Sequence, residues 1–193
     1  MKVNKLVTIF ILMMTILVSC EENYVPKPLG QLRVSFPEND TYHFNDSICP
    51  YEFDAPKYAF VVPKDSSGTN CHKNIHLPYF NATIYASYLP INSEKELFHN
   101  LNVSQDLAYE HRVKASSIDE KIISNDSTKV YGQLFKINGN VASNFQFYMT
   151  DSVNHFFRGA LYFNVKPNID SLKPSLDFVV KDFEKMIETF QWK

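Results

Sequence analysis

The stretch VYGQLFKINGNVASNFQFYMTDSVNHFFRGALYFNV, residues 130–165, decides the fold. Val130 to Ile137 is apolar and β-branched enough for a strand, and Asn138-Gly139-Asn140 after it is a tight-turn signal. In Val141 to Thr150, Phe145, Phe147 and Met149 alternate with Gln146 and Tyr148, the period-two pattern of a half-buried strand. Asp151-Ser152-Val153-Asn154 turns the chain again, because short polar side chains bond nearby backbone in turns. His155 to Val165 forms the third strand, and Gly159 inside it predicts a bulge or a close approach of another group. The stretch therefore reads as a three-strand antiparallel meander.

Outward from the meander, Pro174 to about Gln191 is an amphipathic helix. Pro174 suits the first turn, and Leu176, Val179, Val180, Phe183, Ile187 and Phe190 share one apolar face that should pack on the sheet. On the N-terminal side, Ser93-Glu94-Lys95-Glu96 matches a capping box, with Leu97 and Leu101 repeating at i,i+4. Ser104 is expected to cap a second helical piece through His111, and Ser117 to Ile123 to add a short third one. Earlier strands are expected at Leu32 to Phe36, at Tyr58 to Val62 (a compact apolar run, read as buried) and at Ala82 to Leu89. The region from Pro37 to Pro56 reads as irregular, and Lys64 to Asn70 as a turn-rich loop. The order is α+β: helices laid on an antiparallel sheet. It is similar to the PsbP/Mog1-type α/β/α sandwich, a likeness of element order that says little about function.

The first twenty residues are of another kind. Lys2 and Lys5 precede a thirteen-residue apolar run, Leu6 to Val18. That is too short to span a bilayer, which takes about 20 residues, and fits a signal-peptide core of about 7–15. The run ends in Leu17-Val18-Ser19-Cys20, which looks like a bacterial lipobox: cleavage before Cys20 and acylation of its thiol. Stable anchoring needs more than one acyl chain, each buried CH₂ contributing about 0.8 kcal/mol, and a triacylated cysteine meets that condition. The expected organisation is a signal peptide at 1–19, a lipidated N-terminus with a Pro-containing extended tether at 20–30, and a single α+β domain at 31–193.

The chain has 19 basic and 21 acidic residues; losing Lys2 and Lys5 leaves 17 basic ones and a net charge of −4. With no basic run, nucleic acid is not an expected partner. The other two cysteines, Cys49 and Cys71, would pair by default in an extracytoplasmic chain. A metal site joining them to His72 and His76, and a pair of free thiols, are the alternatives. Neither C-x-x-C nor H-E-x-x-H is present, so no metal is expected.

Catalytic signatures are missing as well: there is no G-x-S-x-G, P-loop or dinucleotide fingerprint, and five glycines leave little for a phosphate loop. Asp151, Ser152 and His155 fall together, yet in a turn where such residues have a structural use. Glu110 and His111 read as a solvated helix face. Arg158, set among aromatics on a strand, is expected either to pair at the edge of the core or to be offered to a partner's carboxylate. Neither catalytic residues, a cofactor nor a small-molecule substrate is expected. Asp46-Ser47-Ile48, Asp151-Ser152-Val153 and Asp170-Ser171-Leu172 resemble the short Asp-Ser/Thr-apolar glycosylation sites of Bacteroidetes.

Several segments resemble the gliding-motility lipoprotein GldD family of Bacteroidetes. They are Cys49-Pro50-Tyr51 with Phe53 and Pro56-Lys57-Tyr58, Val113-Lys114-Ala115, Gly139 to Ser143, and Gln146 to Ser152. The most distinctive is His155 to Phe163, followed by Pro167-Asn168, Asp170-Ser171-Leu172, Pro174 and the terminal Glu188-Thr189-Phe190 with Trp192-Lys193. The resemblance runs from the Pro26-Lys27-Pro28 tether to the last residue. It implies a non-enzymatic lipoprotein supporting gliding and the linked type IX secretion system, with other envelope proteins of that machinery as partners. The expected location is the outer membrane, lipid-anchored and facing the periplasm; a ligand-binding lipoprotein with an apolar pocket between sheet and C-terminal helix is the alternative.

Overall fold

A seven-stranded antiparallel sheet organises the chain, in the order β3-β4-β5-β9-β8-β7-β6. The computed structural model describes residues 35–65 and 71–193; the signal segment, Cys20, the tether and the strand expected from Leu32 lie outside them or at their margin. Two meanders build the sheet. The first joins β3 (Phe60–Pro63), β4 (Lys73–Leu77) and β5 (Ala82–Pro90); the second joins β6 (Ala115–Asn125), β7 (Val130–Gly139), β8 (Phe145–Thr150) and β9 (His155–Phe163). They meet where β5 pairs antiparallel with β9, Ile84 opposite Leu161. The helix α1 (Glu94–Tyr109) makes the crossing between them.

The period-two pattern of the second meander loads the two sheet faces differently. Phe145, Phe147 and Met149 of β8 and Phe157 and Leu161 of β9 point into the larger core. There they meet Leu176, Val179, Phe183 and Ile187 of the helix α2 (Ile169–Glu188). Burying a side chain such as Phe183, fully inaccessible here, is worth about 1.5–3 kcal/mol. The opposite face carries Phe135, Ile137, Tyr148 and Phe156, which pack with Ile91 and Ala108 under α1. This is an α/β/α arrangement, the α+β fold expected. A small second sheet, β1 (Thr41–Asn45), β2 (Tyr51–Pro56) and β10 (Gln191–Trp192), closes the α2 side. Its Tyr51 and Phe53 stack with Phe190 of the C-terminal tail at centroid distances of 5.8 and 6.1 Å.

Several local expectations change. Ser117 to Ile123 is strand, not helix: β6 pairs with β7 through ten residue pairs and becomes the edge of the sheet. The charged Asp119-Glu120-Lys121 sit on that edge, where charges discourage pairing with other chains. The region 37–56, read as irregular, holds β1 and β2. Of the apolar run at 58–62, only Phe60 onward is strand, and β3 is an edge of the sheet, with Phe60 58% exposed. The helix from Glu94 is continuous to Tyr109; Ser104 lies within it and donates to the Asn100 carbonyl. Ser93 does cap that helix, accepting from Glu96 N–H, but Glu96 reaches back to the Asn92 backbone rather than to Ser93. β8 starts only at Phe145, because Asn144 Nδ2 donates to the Ile137 and Gly139 carbonyls and holds residues 140–144 as a wider connection. Gly139 adopts φ +123°, open to glycine. Pro174 falls in the second turn of α2, which begins earlier, at Ile169.

Candidate functional site

The register of β3, β4, β5 and β9 gathers one surface from residues a hundred positions apart. On the sheet face opposite α2, Phe60 lies across from His76, His76 from Thr83, and Thr83 from Tyr162. The next row runs Val62, Asn74, Tyr85, Ala160. Ser87 then faces Arg158, which faces Tyr148. The helix α1 covers only the neighbouring part of this face: Gln146 Nε2 donates to the Leu107 carbonyl at 3.4 Å, and Phe156 is sealed beneath the helix. The β3-β4-β5 half stays open, with Tyr85 47% exposed and its ring 5.6 Å from that of Tyr162 in an edge-to-face pair.

Arg158 sits at the border of the open and covered halves. Burial desolvates its guanidinium and lowers its pKa, with Tyr162 acting weakly in the other direction. No carboxylate among the described residues pairs with it, so of the two expectations the internal ion pair is not what the structure contains. Two strands away on the same face, Asn74 Oδ1 is buried without a hydrogen bond. A desolvated cation beside exposed aromatic rings forms a surface suited to recognition.

The other singled-out groups have local duties. Asp151 Oδ1 accepts from the backbone N–H groups of Val153, Asn154 and His155, so Asp151 shapes the β8–β9 turn. His155 Nδ1 lies 2.8 Å from Tyr88 Oη, and its ring stacks on Trp192 at 5.2 Å. The backbone N–H of Tyr88 donates to His72 Nδ1, and His76 Nδ1 contacts Thr83 Oγ1. Burial lowers the His111 pKa in the short 3₁₀ turn after α1, while Glu110 is exposed. The serines of the three Asp-Ser-apolar tripeptides, Ser47, Ser152 and Ser171, are all exposed. Cys49 and Cys71 bring their sulfurs together with Cα atoms 5.3 Å apart, within the range a disulfide spans.

A cleft of about 560 Å³ opens between the β6–β7 hairpin and the end of α2. Ile123, Val130, Leu134 and Ile187 give it an apolar floor, while Lys121 and Glu184, 3.4 Å apart, cross its mouth.

The profile of the gliding motility lipoprotein GldD family matches residues 21–192, nearly the whole chain after the apolar segment. The chain belongs to that family. Membership makes it a membrane-anchored envelope lipoprotein with a part in gliding motility. No curated protein sequence matches it significantly. Among solved structures it is similar to the solution structure of cyanobacterial PsbP (CyanoP) from Synechocystis sp. PCC 6803. The TM-score is 0.51 at 12% identity, over 86% of this chain and 100% of that one. At that identity the likeness concerns the fold, and it agrees with the PsbP-like α/β/α sandwich expected from element order.

The open face was only partly visible beforehand. Arg158 stood out as a charge among aromatics, but Phe60, Tyr85, Tyr162 and Asn74 carried no signal of a shared surface. The pairing of β5 with β9 creates it.

Proposed function

We propose that this chain is an outer-membrane lipoprotein, anchored by acyl chains on Cys20 and facing the periplasm, that supports assembly or stability of the gliding machinery and the linked type IX secretion system. It does so without catalysis, by binding other envelope proteins of that machinery through its folded domain. The observation that carries this reading is the family match from residue 21 to 192. The open aromatic face around Arg158 supports it, since a docking component needs exposed surface with unmet contacts. We also assign Cys49 and Cys71 to a disulfide, which suits an oxidising envelope compartment.

The test is deletion of the gene, with colony spreading and the release of secreted cargo as readouts. Loss of both, restored by the intact gene but not by a Cys20→Ala form, is the expected result. Normal spreading and secretion in the deletion strain would remove the proposal.

One observation favours a second reading. The cleft between the β6–β7 hairpin and α2 has the size of a small-ligand site. The Lys121–Glu184 pair across its mouth makes a charged rim rather than a closed apolar pocket, so docking is the better account.

A further inference from the structure

We infer that the open sheet face around Arg158 is a receptor for an acidic segment of a partner protein, in which one Asp or Glu carboxylate pairs with the Arg158 guanidinium while flanking apolar groups lie on Tyr85 and Tyr162. The inference deepens the docking function proposed above and rests on it. Its starting point is electrostatic. A guanidinium drawn partly out of water loses hydration, which a carboxylate in two-pronged contact restores. Among the described residues no carboxylate supplies that contact. The residues opposite Arg158 are Ser87 and Tyr148, and the diagonal positions hold Tyr85 and other uncharged groups.

The face also selects by charge against other kinds of occupant. A membrane of anionic lipids is held by clusters of Lys and Arg. Here the positions directly beside Arg158 are Ser87, Tyr148, Tyr85 and Ala160, so no second Lys or Arg adjoins it on the face. A single desolvated arginine flanked by aromatic rings fits a single carboxylate in an apolar context.

The experiment places a photocrosslinking p-benzoylphenylalanine at Tyr85 of the full-length lipoprotein in living cells. Irradiation should give an adduct with another envelope protein whose crosslinked peptide contains Asp or Glu. Arg158→Gln should cut the adduct at least tenfold, and Arg158→Lys by less. Because Arg158→Gln could also disturb folding, Ser87→Glu serves as a second variant. It sets a carboxylate directly opposite Arg158, and it should suppress the adduct about as strongly while the protein keeps its wild-type abundance. Changing the partner's acidic residue to Lys should restore the adduct with Arg158→Glu. Adducts only with lipid, with a second copy or with residues 20–34 of the same chain would overturn the inference. So would the absence of an adduct, a crosslinked peptide without an acidic residue, or yields indifferent to Arg158→Gln and Ser87→Glu. Colony spreading of the deletion strain keeps the two levels apart. Spreading lost on deletion with no acidic adduct removes the Arg158 receptor alone, and normal spreading removes the docking function itself.

Discussion

Lys73 Nζ lies 2.6 Å from Asp46 Oδ2, with the lysine side chain only 2% exposed and the aspartate 24%. The pair ties the turn after β1 to β4 and lies close in sequence to both Cys49 and Cys71. Removing one partner of a buried pair costs about 3–5 kcal/mol, because the remaining charge stays desolvated. Partial exposure of Asp46 reduces that figure. Asp46→Asn should therefore destabilise the fold by about 2 kcal/mol in chemical denaturation. Lys73→Met, which leaves the more exposed partner in water, should cost less.

The same aspartate predicts an acid sensitivity. The hydrogen bond from Lys73 is the largest influence holding the Asp46 pKa below its ordinary 3.8. Burial pushes Asp151 and Asp177 upward, but three backbone N–H groups outweigh it at Asp151, and Lys136 and Lys173 outweigh it at Asp177. All three carboxylates thus have folded pKa values below their unfolded ones. Their stabilisation is present above the unfolded value and is lost as pH falls through the folded values. The urea midpoint should be steady from pH 7 to 5 and drop below about pH 4; an unchanged midpoint at pH 3 would contradict this.

Cys49 and Cys71 are 22 residues apart. In the chain-entropy model, closing a loop of that length stabilises by about 3 kcal/mol. Unfolding followed with and without a reductant should separate by that amount, and Cys49→Ser/Cys71→Ser should match the reduced protein. Identical curves would mean that the thiols do not bridge.

Gly159 offers a test of core packing. The ladder runs through it without a bulge on either side. A Cβ there would stand 2.5 Å from the Phe147 ring tip and 3.2 Å from Ile84. Phe147 is 2% exposed and cannot swing away freely. Gly159→Ala should cost about 1–3 kcal/mol by overpacking, read as a lowered melting temperature.

Much of this architecture is legible in the sequence. The alternation in β8 and β9, the cap at Ser93 and the apolar stripe of α2 are local patterns, and each is found where local rules put it. Where sequence reading failed, a non-local partner decided. In β6, Ile118 and Ile122 are spaced for a helix as well as for one face of a strand, and Glu120 and Lys121 favour helix. Pairing with β7 overrides that preference. β1 and β2 hide among Pro, Asn and Asp because Tyr51 and Phe53 find their partners at Phe190, at the far end of the chain. The docking face follows the same logic. Arg158 is conspicuous alone, yet its surroundings depend on which strand lies beside β9.

The proposed role is to hold other envelope components together without catalysis. The most direct measurement is the abundance and complex size of gliding and secretion proteins in envelopes of the deletion strain, by native separation and quantitative mass spectrometry. At least one such complex should shrink or fall several-fold, and recover with the intact lipoprotein. Complexes of unchanged size and amount in a strain that no longer glides would contradict it.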